Sequence, residues 1–311
     1  MNHTHSHDPA DSIDVALVGS ARGIRAVKVS LVGLGTTAAA QLVVVGISGS
    51  VALLADTVHN FSDALTAVPL WIAFSLRRRP PSRRYTYGYG RAEDLAGLFI
   101  VAMIALSAVV AAVTSIRRLV DPVVLDSVWW VAAAGLVGFA GNELVAVYRI
   151  RVGRQIGSAA LVADGLHART DGLTSLAVLV GALGVAAGFP LADPIVGLVI
   201  TVAILVLLRN AGRDVFRRLM DAVDPDLVHR AEHSLAAAAG VAGVRRVRMR
   251  WSGHELHADA DLDVDPTISL AAAHEIAHDA ERGLRRALPQ VGDVVIHAYP
   301  HDAAPALPSL D

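Results

Sequence analysis

The sequence repeats one short pattern of ionisable residues, first as LLADTVHNFSDALTAV at Leu53–Val68 and again as LVADGLHARTDGLTSL at Leu161–Leu176. The two stretches lie 108 positions apart and agree at seven of their sixteen positions. Both place Asp-x-x-His-x-x-x-Asp inside a long apolar run. One ionisable residue at the centre of a membrane helix costs about 2.5–3.5 kcal/mol. Structural pairing alone rarely needs that cost twice at matched spacing, so the repeat indicates a functional site.

The last two ionisable residues of each pattern lie on one helix face, because positions i and i+4 are neighbours there. Facing helices would therefore bring together His59, Asp63, His167 and Asp171. Two imidazole nitrogens and two carboxylate oxygens form a four-coordinate set suited to Zn²⁺. Co²⁺, Fe²⁺, Cd²⁺ and Mn²⁺ fit the same donors, since affinity alone discriminates poorly among divalent ions. We predict a metal site within the membrane.

The first aspartate of each pattern, Asp56 or Asp164, precedes its histidine by three residues and lies one turn away. Two interpretations stay open for this pair. The carboxylates either support the metal ligands and relay protons towards the cytoplasmic side, or they hydrogen-bond to neighbouring helices. Asn142 and Glu143, in the fourth apolar run, are further candidates for an interhelical bond or a proton step.

The composition divides the chain into a membrane part and a water-soluble part. Charged residues make up 18% of the 311 residues, against about 25% in soluble proteins, and 54% are hydrophobic, with a mean hydropathy of +0.50. A spanning helix needs about 20 apolar residues. Six runs qualify, at Val27–Val45, Val51–Leu76, Leu95–Ile116, Val128–Val147, Ser158–Ala187 and Ala192–Leu208. We predict a polar N-terminus that contains histidines (1–26), a six-helix transmembrane domain (27–208) and a soluble domain (209–311).

The arginines indicate how the predicted spans are oriented. They cluster after the second, fourth and sixth spans, at Arg77, Arg78, Arg79, Arg83, Arg84, Arg91, Arg149, Arg151, Arg154, Arg209, Arg213, Arg217 and Arg218. The opposite side carries Arg117 and Arg118, with Asp121 and Asp126 beside them. Because positive residues favour the cytoplasmic side, both termini are predicted to be cytoplasmic. An even number of spans also puts both termini on one side of the membrane.

The soluble part follows the order helix, strand, strand, helix, strand. The predicted elements are Asp226–Ala239, Arg245–Trp251, Glu255–Val264, Ser269–Leu288 and Asp293–Tyr299. The fold class is therefore an α-helical membrane protein with six transmembrane helices and a cytoplasmic α+β domain of ferredoxin-like αββαβ order. The chain has no cysteine, which excludes disulfides and thiolate metal sites. A net charge of −2 favours no particular partner, and we expect no nucleic acid.

One motif in the soluble part has a competing interpretation. HEIAH, at residues 274–278, matches the zinc metalloprotease helix, with His274 and His278 as ligands and Glu275 as general base. The pattern is short, no obvious third ligand follows it, and it leaves the intramembrane repeat unexplained. We therefore expect no enzymatic activity, with a membrane-tethered protease as one alternative. A membrane metal sensor without flux is the other.

At the repeated motif the chain resembles the cation diffusion facilitator (CDF) family of divalent-metal/proton antiporters. The resemblance covers almost the whole length and includes six spans, HxxxD in spans two and five, YTYGYGRAEDLAG before span three, and the α+β domain. It implies a homodimer in membrane lipid that exports metal in exchange for protons by alternating access. His59, Asp63, His167 and Asp171 match the family's transport site, and their type matches its zinc-transporting branch. Family precedent favours a bacterial inner membrane.

The resemblance carries further residues over to this chain. Arg91 and Asp221 match positions that form a charge pair locking the dimer. Some members bind a second metal in the loop after span two, but Ser82, Tyr85 and Tyr89 stand at those places here, so no metal site is expected in that loop.

A regulatory Zn²⁺ site in the C-terminal domain is also implied, in an altered form. Arg245 stands where other members carry a histidine, and Tyr299 stands where some carry an aspartate. The residues that could still form a site are His257, Asp261, His274 and His297. The alternative is an acidic, solvated strand face with surface histidines.

Overall fold

The computed structural model describes residues 9–48, 67–120, 128–189 and 191–301, and in the first helix the side chains of 17–43. Asp56, His59 and Asp63 therefore lie outside the described residues. The chain divides into two compact units. One is Ser20–Phe216, and the other combines Arg217 onwards with the start of the first helix up to Gly19.

The described part of the membrane domain is built from helices. They are α1 (Pro9–Ser48), α2 (Ala67–Arg77), α3 (Arg91–Val120), α4 (Val128–Ile156), α5 (Ala159–Ala186) and α6 (Ala192–Leu219). Five stretches are long and apolar enough to cross a membrane, at Leu17–Val43, Arg91–Val120, Val128–Ile156, Ala159–Ala186 and Ala192–Leu219. The shorter α2 covers the end of the predicted second span, whose remainder lies outside the described residues.

Three helices run well beyond the apolar runs that predicted them, and α1 begins at Pro9, 18 residues before the predicted start at Val27. α4 continues past Val147 to Ile156, and α6 continues past Leu208 to Leu219. α4 stops where Gly157 takes a positive φ of 75°, a common helix ending because glycine has no Cβ. The next residue, Ser158, caps α5, since its side chain accepts a hydrogen bond from the Leu161 N–H at 3.1 Å. Arg149, Arg151 and Arg154, which follow the predicted fourth span, therefore belong to α4 and not to a loop between helices.

Helices α4 and α5 pack closely because small residues line their contact. A methyl group at Gly153 would lie 2.9 Å from the backbone nitrogen of Val162. One at Gly165 would lie 3.0 Å from the backbone nitrogen of Ile150. Both distances are too short for a real Cβ, so the backbones can approach this closely only at glycine.

The C-terminal unit has the predicted αββαβ order. Its elements are α7 (Pro225–Ala236), β1 (Gly243–Ser252), β2 (Glu255–Val264), α8 (Leu270–Ala287) and β3 (Val291–Pro300). The strand order is β1-β2-β3, with β1 antiparallel and β3 parallel to β2. Asp224 and Ser269 cap the two helices through their side-chain oxygens. The predicted fold class of this domain is confirmed.

The two faces of this sheet differ in chemistry. Leu256, Ala258, Ala260 and Leu262 of β2 are buried in a core with residues of α7 and α8. The intervening residues alternate to the other side, which we call the outer sheet face; on β2 it carries His257, Asp259, Asp261 and Asp263. The β1–β2 register shifts between Val244 and Arg246. Such a bulge adds one residue to a strand, and it allows the consecutive Arg245 and Arg246 both to reach aspartates of this face.

Candidate metal-transport site

Helix α5 brings the second copy of the motif together as its spacing predicts. His167 and Asp171 are one helical turn apart, and Nδ1 of the histidine lies 3.8 Å from Oδ1 of the aspartate. Both are buried, with 1% and 8% of their surface exposed. No three His, Asp or Glu side chains gather closely enough to hold a metal ion among the described residues, which exclude His59 and Asp63. The structure therefore describes one half of the predicted four-ligand set.

Asp164, one turn before His167, is paired with an arginine of α4. Its Oδ2 lies 2.9 Å from Nη1 of Arg149, and the two side chains are 0% and 2% exposed. Of the two interpretations of Asp164, interhelical bonding is therefore the one that the structure describes, as an ion pair. Arg149 was not predicted to pair with Asp164, because the apolar run that marks the fourth span ends at Val147. The sequence signal for the true end of α4 is Gly157, because glycine commonly follows the last residue of a helix. This signal places the end of the helix beyond Val147.

A second ion pair joins α4 and α5 near His167. Arg169 donates to both carboxylate oxygens of Glu143, from Nε at 3.0 Å and from Nη2 at 2.6 Å. Two parallel hydrogen bonds fix a guanidinium more strictly than one. The neighbouring Asn142 is buried and donates from Nδ2 to the Gly138 carbonyl of its own helix at 3.1 Å. Glu143 thus forms the predicted interhelical bond, whereas the described bond of Asn142 stays within α4.

A third ion pair joins α3 to α6. Arg118 Nη1 lies 2.8 Å from Asp193 Oδ2, close to the end of α3 and the start of α6. Asp121 and Asp126 follow Arg118 in the sequence but lie outside the described part of the chain. The described partner of Arg118 is 75 residues away, a distance over which sequence spacing carries no information.

The loop between α2 and α3 forms a compact turn. Ser82 and Tyr85 exchange two backbone hydrogen bonds of 3.1 Å, and the Ser82 hydroxyl accepts a third from the Tyr85 N–H. The rings of Tyr85 and Tyr89 are 4.9 Å apart. The absence of a metal site from this loop stays a prediction.

The two residues of the proposed dimer charge pair each lie close to the end of a helix. Arg91 begins α3, and its Nη1 lies 3.4 Å from Oδ2 of Asp94. Asp221 follows α6 with a positive φ of 58°, uncommon for a residue other than glycine. A charge pair between Arg91 and Asp221 stays a prediction.

Three of the four candidate regulatory ligands lie on the outer sheet face. His257 Nδ1 is 3.5 Å from Asp293 Oδ2, and the hydrogen bond from His257 lowers the pKa of that carboxyl. Asp261 Oδ2 is 2.6 Å from Arg246 Nη2. His297 pairs in register with Asp261 on the neighbouring strand. The guanidinium of Arg246 therefore already neutralises the carboxylate that a metal would need.

The fourth candidate, His274, belongs to α8, which packs against the opposite face of the sheet. Within one chain the sheet thus separates His274 from His257, Asp261 and His297. A regulatory site made from all four stays a prediction, and it requires a second chain.

The protease motif is ordered but incomplete. His274 and His278 approach each other to 3.1 Å between their Nε2 atoms. Glu275 is exposed, and the described residues supply no third histidine or carboxylate around the pair that would complete a metal centre.

Two family models match consecutive parts of the chain. The cation efflux transmembrane domain matches residues 27–220, and the cytoplasmic domain of cation efflux proteins matches residues 223–301. The first match alone covers more than half of the chain. The chain belongs to the cation diffusion facilitator family. It is a cation efflux transporter and an integral membrane protein, and the CDF family is one of transporters, not enzymes.

Individual relatives of this CDF protein span most of its length. It is 65% identical to the probable cation efflux system protein Rv2025c of Mycobacterium tuberculosis over 304 residues, 98% of this chain and 92% of that protein. It is 30% identical to the cation-efflux pump FieF of Pectobacterium atrosepticum, covering 83% and 86% of the two chains.

A solved nickel form of a MamM C-terminal domain variant matches 25% of this chain and 100% of its own, at 23% identity and a TM-score of 0.25.

Proposed function

We propose that this CDF protein exports Zn²⁺ in exchange for protons, with His59, Asp63, His167 and Asp171 as the transport site. The observation that carries the proposal is the buried His167–Asp171 pair on α5, at 3.8 Å. The same residue types at the same spacing occur at His59 and Asp63. A second helix that placed them opposite α5 would complete two nitrogen and two oxygen donors.

The donor set favours Zn²⁺ among the divalent ions. Imidazole nitrogen and carboxylate oxygen bind Zn²⁺ at about 2.0–2.2 Å in tetrahedral sites. Hard ions such as Mg²⁺ prefer oxygen donors alone, and the two histidines count against them. Zn²⁺ is therefore the first candidate cargo.

Exchange with protons follows from the same ligands. Histidine must lose its proton before it binds a metal ion, so cargo binding releases protons. Imidazole ordinarily exchanges its proton close to neutral pH. A site that faces the two sides of the membrane alternately would thus release metal where protons are abundant and reload where they are scarce.

The arrangement of the protein in the membrane belongs to the same proposal. We place both termini in the cytoplasm of a bacterial cell, with the chain as a homodimer held by its C-terminal domains. Arg91 and Asp221 would form the charge pair near the membrane surface. Metal bound by His257, Asp261, His274 and His297 from two chains would then strengthen the docking of these domains.

Flux measurement in proteoliposomes tests the function. Vesicles that contain a zinc dye and carry a pH gradient should accumulate Zn²⁺ with the unmodified protein. Asp171→Ala and His167→Ala should abolish that flux, because each removes a donor atom. Thr174→Ala is the matched control, since the described hydrogen bond of Thr174 runs back to the Thr170 carbonyl of the same helix.

The outcomes separate the transporter from the sensor. Proton-driven flux that is lost in both site variants and kept in the control supports the antiporter and its site together. Tight Zn²⁺ binding without flux in the unmodified protein would contradict transport and favour a sensor.

A further inference from the structure

A line of contacting side chains runs along one side of α8. Arg285 donates from Nε at 3.0 Å and from Nη2 at 2.9 Å to Oε1 of Glu281. The other oxygen of Glu281 lies 3.4 Å from Nδ1 of His278. The Nε2 atom of His278 lies 3.1 Å from Nε2 of His274. Four residues of one helix thus form a continuous chain that ends in two imidazoles.

The helix itself places these residues in line. Positions 274, 278, 281 and 285 are separated by four, three and four residues, the spacings that share one helix face. The opposite side of α8 buries Ala280 and Leu284 in the domain core, which fixes the rotation of the helix. Arg285 also donates to the Gly292 carbonyl at the start of β3. The far end of the line is therefore anchored to the sheet.

The carboxylate of Glu281 lies beside one ring nitrogen of His278, and the other ring nitrogen faces His274. Oε2 of Glu281 is 3.4 Å from Nδ1 of His278. A carboxylate beside a ligating histidine fixes the ring orientation and makes the histidine a better metal ligand. On the other side, Nε2 of His278 lies 3.1 Å from Nε2 of His274.

The separation of these nitrogens suits a metal ion. Two ligands at 2.0–2.1 Å from a tetrahedral Zn²⁺ stand about 3.3 Å apart. The observed 3.1 Å is close to this value, so an ion could bind between the two nitrogens after a small movement of the rings. His274 is exposed and the His278 side chain is 23% exposed, which leaves room for water as the remaining ligands.

We propose that His274 and His278 form a second divalent-cation site, separate from the transport site and contained in one C-terminal domain. It takes ions that accept imidazole, Zn²⁺ above all, with Ni²⁺ and Cu²⁺ in the same class. Two protein ligands hold an ion less tightly than four, so the site exchanges its ion with solvent. It needs no second chain, unlike a site that combines His274 with the outer sheet face.

Spacing alone does not single out this pair. His229 and His233 on α7 are also four residues apart. There the described contact of His229 is with Glu232, at 3.5 Å between Nδ1 and Oε2, and the side chain is 77% exposed. The described residues of α7 show no contact between the two imidazoles. The preformed approach of the rings, and the anchored carboxylate behind them, distinguish α8.

Zn²⁺ titration of the full-length protein tests the site. Every sample carries His167→Ala to weaken the transport site, and bound Zn²⁺ is counted by equilibrium dialysis. His278→Ala should lower the stoichiometry by one ion per chain and is the deciding variant, because His278 belongs to this site alone. His274→Ala should lower it by at least as much, because His274 is also a ligand of the proposed two-chain site. His301→Ala is the control, because His301 also lies beside a carboxylate, with Nδ1 3.7 Å from Asp263 Oδ2.

A milder variant keeps the test independent of folding. Glu281→Gln leaves both imidazoles in place and should weaken Zn²⁺ binding at this site about 10- to 100-fold. Unchanged stoichiometry and affinity in His274→Ala, His278→Ala and Glu281→Gln would overturn the proposal. Failure of the transport site would appear elsewhere, as absent flux in the protein that keeps His167.

Discussion

Arg149 and Asp164 form an ion pair that is shut off from solvent between α4 and α5, with 2.9 Å between Nη1 and Oδ2. Removing two charges from water is expensive, and their attraction compensates for it only while both partners are present. The pair therefore fixes α5 in position one turn before His167. Breaking the pair would disturb the support of the proposed transport site without removing any of its proposed ligands.

Loss of Arg149 should destabilise the protein severely. Arg149→Met leaves the Asp164 carboxylate buried without its partner, and breaking such a pair costs about 3–5 kcal/mol. The double change Arg149→Met with Asp164→Leu removes both charges and should recover most of that loss. Thermal unfolding of the purified protein in detergent gives the comparison. A double variant no more stable than the single one would show that the pair is not what Arg149 contributes.

Metal preference should follow the donor atom at position 167. His167→Asp replaces nitrogen by oxygen, and carboxylate oxygens suit Mn²⁺ better than imidazole does. We expect competition assays to show weaker Zn²⁺ binding and a relative gain for Mn²⁺. His167→Ala, which removes the donor without replacing it, should lose both ions. An unchanged ratio of the two affinities in His167→Asp would place His167 outside the site.

Because α4 and α5 approach closely at Gly165, adding one methyl group there should strongly reduce the stability of the protein. Gly165→Ala puts a Cβ 2.7 Å from Ile150 Cγ1 and 3.0 Å from its backbone nitrogen, so the helices must separate. Overpacking of this kind costs about 1–3 kcal/mol, and flux should fall with stability. Gly35→Ala on α1 is the control, because among the described residues its new methyl would meet no atom within 4 Å. Equal melting temperatures for both variants would contradict the packing described.

The arginines of β1 should compete with metal for the outer sheet face. Arg246→Ala releases the Asp261 carboxylate, which lies beside His297 in the strand register. We expect Zn²⁺ to bind the full-length protein more tightly after this change, because the ion no longer displaces a guanidinium. Arg248→Ala, at the exposed position opposite Asp259, provides the comparison. Weaker or unchanged binding in Arg246→Ala would argue against any metal at Asp261.

Patterns with a short period were predictable from the sequence. The i, i+4 spacing places His167 and Asp171 together, and the predicted bounds of β2, Glu255–Val264, agree with the structure. Regular helices and strands impose these relations locally, whatever surrounds them.

Relations that depend on tertiary structure were not predictable. Arg149 was missed because hydropathy marks the end of an apolar run and not the end of a helix. Arg245 and Arg246 reach the same face through a bulge, which shifts the alternation of a strand by one residue. His274 and His297 are both residues that can bind a metal ion, but the sheet lies between them.

The connection between α4 and α5 consists of Gly157 and Ser158 alone. Glycines line the contact and two ion pairs cross it, so we expect α4 and α5 to stay together as one rigid unit. In the proposed alternating access, exposing His167 first to one compartment and then to the other would therefore require movement of the helices around this unit.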